Sequence, residues 1–128
     1  MPYFSVLLSV YHKETADNLN QCLESLAAQT LPADEIVIVK DGKLTNELEE
    51  ALAIWQMKLP LKIVGYEENK GLAYALNYGL DYCSYEYIAR MDSDDICVPD
   101  RFERQIMYFE EHKDATIVGA GITEFYEK

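Results

Sequence analysis

FSVLLSVYHKETADNLNQCLESLAAQTLPADEIVIVKDG, residues 4–42, reads as a strand, a helix and a second strand. Phe4–Val10 and Glu35–Val39 are short, near-continuous apolar runs rich in Val, Ile and Leu. Runs of that size suit strands buried on both faces. Between them Leu19, Cys22, Leu23, Leu26 and Ala27 recur at i, i+3, i+4, i+7 and i+8, one face of a helix. Thr15 stands before this helix as an N-cap, and Pro32 lies beyond its end.

The same alternation continues outward. Leu61–Tyr66, Tyr85–Met91 and Ala115–Gly121 read as three further strands. A second helix starts near Thr45, with Leu48, Ala51, Leu52 and Trp55 on one face and Pro60 closing the segment. A third shows Leu72, Ala75, Leu76, Gly79, Leu80 and Cys83. A fourth opens with Pro99 and continues with Phe102, Ile106 and Phe109; Asp100 sits near its positive end. The order β-α-β-α-β-α-β-α-β predicts the α/β class, a mostly parallel sheet with helices on both faces. No linker, low-complexity tract or repeat interrupts it, so residues 1–128 read as a single domain.

Composition narrows the function classes. The 128 residues carry 11 Lys+Arg against 23 Asp+Glu, a net charge of −12. That balance argues against nucleic acid as a partner, because phosphate contacts need clustered Lys and Arg. No apolar run reaches the roughly 18 residues of a membrane span. The start, MPYFSVLLSVYHKE, lacks the basic n-region of a signal peptide. Cys22, Cys83 and Cys97 are odd in number and form no CxxC pair, which points to a reducing, cytoplasmic compartment. His12 and His112 make no metal-ligand pair with any cysteine and read as surface residues.

In an open α/β sheet, ligands bind outside the carboxyl ends of the strands. The residues that follow each strand are Tyr11 to Glu14, then Lys40-Asp41-Gly42, then Glu67 to Gly71, then Arg90 to Asp95. Polar groups therefore collect at one edge. Asp92-Ser93-Asp94-Asp95 is the sharpest cluster. Three carboxylates so close repel one another unless a cation sits among them, and hard divalent cations prefer such oxygens. The alternative is a solvated loop whose acids cap the next helix. Asp41 before Gly42 fits a turn, or a carboxylate that accepts hydrogen bonds from a base or a ribose hydroxyl. Lys70 fits a solvated turn, or a cation beside a phosphate at a helix N-terminus. Tyr11 fits packing, or stacking on a base. Two familiar phosphate loops are missing: neither G-x-G-x-x-G nor G-x-x-x-x-G-K-[ST] occurs.

SLAAQT (25–30), VKDG (39–42), ENKGLAYALNYGL (68–80) and ARMDSDD (89–95) followed by PDRF (99–102) together resemble the inverting family 2 glycosyltransferases, above all bacterial enzymes of surface polysaccharide synthesis. The likeness runs in order along nearly the whole chain. It implies a Rossmann-like glycosyltransferase A-type fold that binds a nucleotide-diphosphate sugar with Mn²⁺ or Mg²⁺. Carried over by position, it implies nucleotide contacts at Tyr11, Glu14, Asp41, Lys70, Asp92 and Ser93. It implies a metal ligand at Asp94 and leaves Asp95 unassigned. Such catalytic domains extend well past 128 residues, and nothing after Asp95 matches their E-D-type base motif. The resemblance therefore implies a truncated, donor-binding N-terminal part whose catalytic base lies beyond residue 128. Poor transfer in isolation and self-association through uncovered surface are the expected consequences. The acceptor would be a saccharide or a lipid-linked sugar, at the inner face of the cell membrane. Two other classes share part of this pattern. A sugar-nucleotide nucleotidyltransferase wants a glycine-rich basic loop after the first strand, where YHKETADN (11–18) stands. A receiver-like signalling module wants its acids after the first and third strands rather than the fourth.

Overall fold

A computed structural model describes residues 3–112, 117–120 and 123–127, the last two stretches as backbone. The elements in chain order are β1 (Phe4–Val10), α1 (Ala16–Ala27), β2 (Glu35–Asp41), α2 (Asn46–Gln56), β3 (Leu61–Tyr66), α3 (Leu72–Leu80), β4 (Tyr87–Arg90), α4 (Arg101–Glu111), β5 (Ile117–Ala120) and β6 (Thr123–Glu127). The sheet order is β3-β2-β1-β4-β6-β5. β3, β2, β1 and β4 run parallel, with Val6 opposite both Ile36 and Ala89. β6 is antiparallel to β4 and to β5.

Both faces of the parallel strands are covered, which explains their unbroken apolar runs. Phe4, Val6, Leu8 and Val10 of β1 pack with Leu19, Cys22, Leu23 and Leu26 of α1, with α2, and with Phe102, Ile106 and Phe109 of α4. The rings of Phe4 and Phe102 meet edge to face, 5.2 Å between centroids. On the opposite face Leu7, Val37, Val39 and Ile88 pack with Ala75 and Cys83 around α3. Thr15 and Thr45 cap α1 and α2, accepting the N–H groups of Asn18 and Leu48 at 3.1 and 3.3 Å. His12 and His112 are exposed, and the three cysteines are buried free thiols.

Four details differ from the sequence reading. β2 runs two residues beyond Val39, because Asp41 still pairs with Tyr66 of β3. β4 starts at Tyr87, because its neighbour β1 begins at Phe4, the residue opposite Tyr87. Pro99 lies before α4 rather than in its first turn; its carbonyl accepts the Thr30 N–H at 2.8 Å. A sixth strand, β6, follows the fifth where no element was expected. Of the strand expected over Ala115–Gly121, residues 115, 116 and 121 lie outside the described residues. Among the described residues no helix is long and apolar enough to cross a membrane.

Candidate functional site

The chain passes from β1 to β2 on one side and reaches β4 on the other, through β3 and α3. The strand order therefore reverses at β1 and β4, and a crevice opens outside the ends of those strands. A cavity of about 540 Å³ lies there. Its wall is made by Tyr11 and Glu14 after β1, Asp41 at the end of β2, Asn69 and Gly71 before α3, and Asp92, Ser93 and Asp94 after β4.

Asp41 is buried, 3% exposed, and both of its oxygens are engaged. Oδ1 accepts the Tyr66 hydroxyl at 2.9 Å and the Lys70 N–H at 2.7 Å. Oδ2 accepts the Asn69 side-chain amide at 3.2 Å and the Gly71 N–H at 3.1 Å. One carboxylate thus folds the β3–α3 loop back onto β2. Burial and this hydrogen bond push the Tyr66 phenol up from its ordinary pKa. Gly42 makes the approach possible: at its φ of +87° a Cβ would stand 2.6 Å from the Asn69 nitrogen.

Lys70 takes part through its backbone. Its ammonium lies over the rings of Tyr74 and Tyr66, 4.8 and 5.9 Å from the centroids, and its side chain does not line the cavity. Tyr11 stands at the rim, 43% exposed, with its ring edge-on to His12. Glu14 bridges two loops. Its Oε1 accepts the Thr15 N–H at 2.8 Å and the Asn18 amide at 3.1 Å, while Oε2 accepts the Ser93 hydroxyl at 2.5 Å.

The acid triplet forms a tight turn. Asp95 N–H donates to the Asp92 carbonyl at 3.1 Å, and Asp92 N–H donates back to Asp95 Oδ2 at 2.8 Å. Asp92, Asp94 and Asp95 bring one carboxylate oxygen each within 4.8 Å of one another. Asp92 and Asp94 are exposed, whereas Asp95 is buried. Burial, helped by its two acidic neighbours, raises the pKa of Asp95 above the usual carboxylate value. An all-oxygen donor set with two exposed carboxylates fits a hard divalent cation that keeps room for further ligands. The cavity wall carries Glu14, Asp41, Asp92 and Asp94 against one cation, Lys13. A bare diphosphate would be repelled from such a wall; a diphosphate with a divalent cation would not.

All the nucleotide contacts expected from the sequence except the Lys70 side chain thus meet around one cavity, and Asp94 stands with them. Ser9, Lys13, Asn69, Gly71 and Leu72 also line it and were not singled out. Ser9 carried a signal, being one of two polar residues in the apolar run of β1 and the one nearer its carboxyl end.

Fold and cavity define an open α/β domain with an acidic ligand crevice at its topological switch point. The pattern of glycosyl transferase family 2 matches residues 5–128, and the chain belongs to that family. It is 53% identical over 124 residues to the amylovoran biosynthesis glycosyltransferase AmsE of Erwinia amylovora, covering 97% of this chain and 47% of that protein. It is 37% identical over 124 residues to the UDP-Gal:alpha-D-GlcNAc-diphosphoundecaprenol beta-1,3-galactosyltransferase of Escherichia coli, covering 97% and 45%. The chain spans about half the length of the curated relatives it matches. The structure of S. aureus TarS 1–349 in complex with UDP-GlcNAc superposes with a TM-score of 0.78 at 28% identity, over 87% of this chain and 32% of that one. Mannosyltransferase PcManGT from Pyrobaculum calidifontis, in complex with GDP-Man and Mn²⁺, superposes with a TM-score of 0.81 over 98% and 44%. At 20% identity that likeness concerns the fold alone. The fold is thus the glycosyltransferase A type, and the nucleotidyltransferase and receiver readings have no support.

Proposed function

We propose that residues 1–128 form the donor-binding part of an inverting glycosyltransferase of bacterial surface polysaccharide synthesis. The observation that carries the reading is the acid triplet after β4, two of whose members, Asp92 and Asp94, face Tyr11, Glu14 and Asp41 across one cavity. On this reading Tyr11 stacks on the base and Asp41 receives the base or ribose. Asp92 and Ser93 contact ribose and phosphate, Glu14 holds Ser93 in place, and Asp94 ligates Mn²⁺ or Mg²⁺. Lys70 contributes from beside the cavity, through its N–H on Asp41. The cation, when bound, offsets the negative charge that develops on the departing diphosphate. The residues of this chain bind and orient the donor for in-line attack by an acceptor hydroxyl. The base that takes the acceptor proton comes from outside these residues.

Support for the donor class comes from the TarS complex, which holds UDP-GlcNAc. Support for a lipid-linked saccharide acceptor comes from the name of the Escherichia coli relative, which transfers to GlcNAc-diphosphoundecaprenol. The test is calorimetric titration of UDP, GDP and dTDP with Mn²⁺ and with EDTA, on the natural sequence and on Asp94→Ala. Metal-dependent binding of one nucleotide, lost in the variant, is the expected result. Binding that ignores both the metal and the substitution would remove Asp94 from its role.

A further inference from the structure

Ser25 on the buried face of α1, and Gln29 two residues past its end, have no part in the cavity wall. Ser25 is 9% exposed and Gln29 is 6% exposed. Ser25 lies among Cys22, Leu23 and Leu26, on the face of α1 that packs against the sheet and α4. A buried amide and a buried hydroxyl cost free energy unless they are paired. Both are paired, and their partners share one segment. Ser25 Oγ accepts the Cys97 N–H at 3.1 Å and donates to the Cys22 carbonyl at 2.7 Å. Gln29 Nε2 donates to the Val98 carbonyl at 2.8 Å, and Gln29 Oε1 accepts the Phe102 N–H at 3.2 Å. The Thr30 N–H donates to the Pro99 carbonyl at 2.8 Å. The Cys22 thiol points to the Asp92 carbonyl at 3.7 Å.

Side chains of α1 and of the residues just past its end therefore bond the backbone of the loop that carries the acids. Ile96 alone separates the Asp92–Asp95 turn from the Cys97 anchor. The other end of the turn is held by Met91, whose N–H donates to the Leu7 carbonyl of β1 at 3.1 Å. The acids repel one another, so the turn keeps its donors together only if both ends are fixed. β1 fixes one end; Ser25 and Gln29 fix the other.

We propose that Ser25 and Gln29 are positioning residues for the cation site, setting its affinity through the Cys97–Phe102 backbone without touching the ligand. The proposal rests on the reading of Asp94 as a metal ligand. Groups that hold metal ligands in place typically change metal affinity about 10- to 100-fold when removed. The experiment is Mn²⁺ titration of the natural sequence, Ser25→Ala, Ser25→Thr, Gln29→Ala and Asp94→Asn, with free Mn²⁺ read by electron paramagnetic resonance. Each variant is first melted, and titrations are run well below its midpoint. Ser25→Ala and Gln29→Ala should weaken Mn²⁺ binding about tenfold, while Ser25→Thr, which keeps the hydroxyl, stays within about twofold of the natural sequence. Hydrogen exchange should show the Asp95 and Cys97 amides losing protection before those of β1 and β2. Variants that melt lower yet bind Mn²⁺ like the natural sequence would reduce Ser25 and Gln29 to core stabilisers and overturn the proposal. Undiminished Mn²⁺ binding in Asp94→Asn would instead overturn the metal reading itself, and the proposal with it.

Discussion

Asp41 accepts the backbone N–H of Lys70 at 2.7 Å, so the last residue of β2 holds the loop that starts α3. Three more donors, from Tyr66, Asn69 and Gly71, share that carboxylate. Asp41→Ala takes that carboxylate from all four: the Asn69 amide keeps the Asp41 main-chain carbonyl at 3.2 Å, while the Tyr66 hydroxyl and the Lys70 and Gly71 N–H groups lose the acceptor they share. We expect a loss of about 2–3 kcal/mol in urea unfolding. Asp41→Asn keeps one acceptor oxygen and puts an NH₂ against N–H donors, so it should lose less than alanine but clearly more than nothing. A variant pair as stable as the natural sequence would show that the carboxylate does not organise the loop.

Asp92, Asp94 and Asp95 set three carboxylates within 4.8 Å, a repulsion that the fold bears in the absence of a cation. Removing one charge should relieve it. In EDTA, Asp94→Asn should melt at or above the natural sequence, by roughly 1–3 °C. In Mn²⁺ the order should invert. A cation that binds only the folded chain stabilises by about 2.7 kcal/mol at a hundredfold excess over Kd, and Asp94→Asn should miss most of that gain. Thermal melts of the two proteins with and without Mn²⁺ decide the matter. Equal Mn²⁺-induced shifts in both would place the cation elsewhere.

The parallel core was readable because burial on both faces writes itself as continuous apolar runs, as in FSVLLSV and EIVIV. The ends of strands were not, because they depend on the neighbour: Tyr85 and Glu86 have no β1 residue to pair with. β6 escaped because TEFYE (123–127) has the composition of a surface segment and gains its partner, β4, from 33 or more residues earlier. At the site, the acids and Tyr11 stood out by type and place. The four-donor role of Asp41 did not, since its donors lie 25 to 30 positions away. Gln29 did leave a trace. It stands in SLAAQT just past the end of the apolar stripe, and a polar side chain turned inward there needs a buried partner.

Glu35 offers a pH test away from the cavity. Its Oε1 accepts the Ser84 N–H and the Ser5 hydroxyl, both at 2.8 Å, and its Oε2 accepts the Ser84 hydroxyl at 2.8 Å. Burial works against the charged form, but the Ser84 and Ser5 bonds and nearby Lys62 outweigh it, so the pKa is lowered from 4.5. A lowered folded pKa means stability that is present above pH 4.5 and lost as pH falls through the folded value. Glu35→Gln should therefore be less stable than the natural sequence by about 1 kcal/mol at pH 5–7. The gap should close as the pH drops below 4.5. A gap that is independent of pH would assign the loss to packing rather than to the carboxylate.

At Gly79 the helix α3 lies close against the sheet. A Cβ there would stand 2.5 Å from Val39 Cγ2 and 2.6 Å from Leu7 Cδ1. Both side chains are fully buried, so a rotation of either must displace its own neighbours in a close-packed core. Alanine in a helix gains up to about 1 kcal/mol over glycine, whereas overpacking a close-packed core costs about 1–3 kcal/mol. Gly79→Ala should therefore be destabilised by about 1–2 kcal/mol in spite of the better helix former. The midpoint in urea should fall with an unchanged slope, because the surface exposed on unfolding is nearly the same. The clash also lifts the helix whose first turn, at Gly71, is tied to Asp41. The same variant should then lose nucleotide affinity, although Gly79 is absent from the cavity wall. Full stability in Gly79→Ala would show that α3 rides loosely on β1 and β2; lost stability with full affinity would show that the Asp41 loop holds its place without the helix.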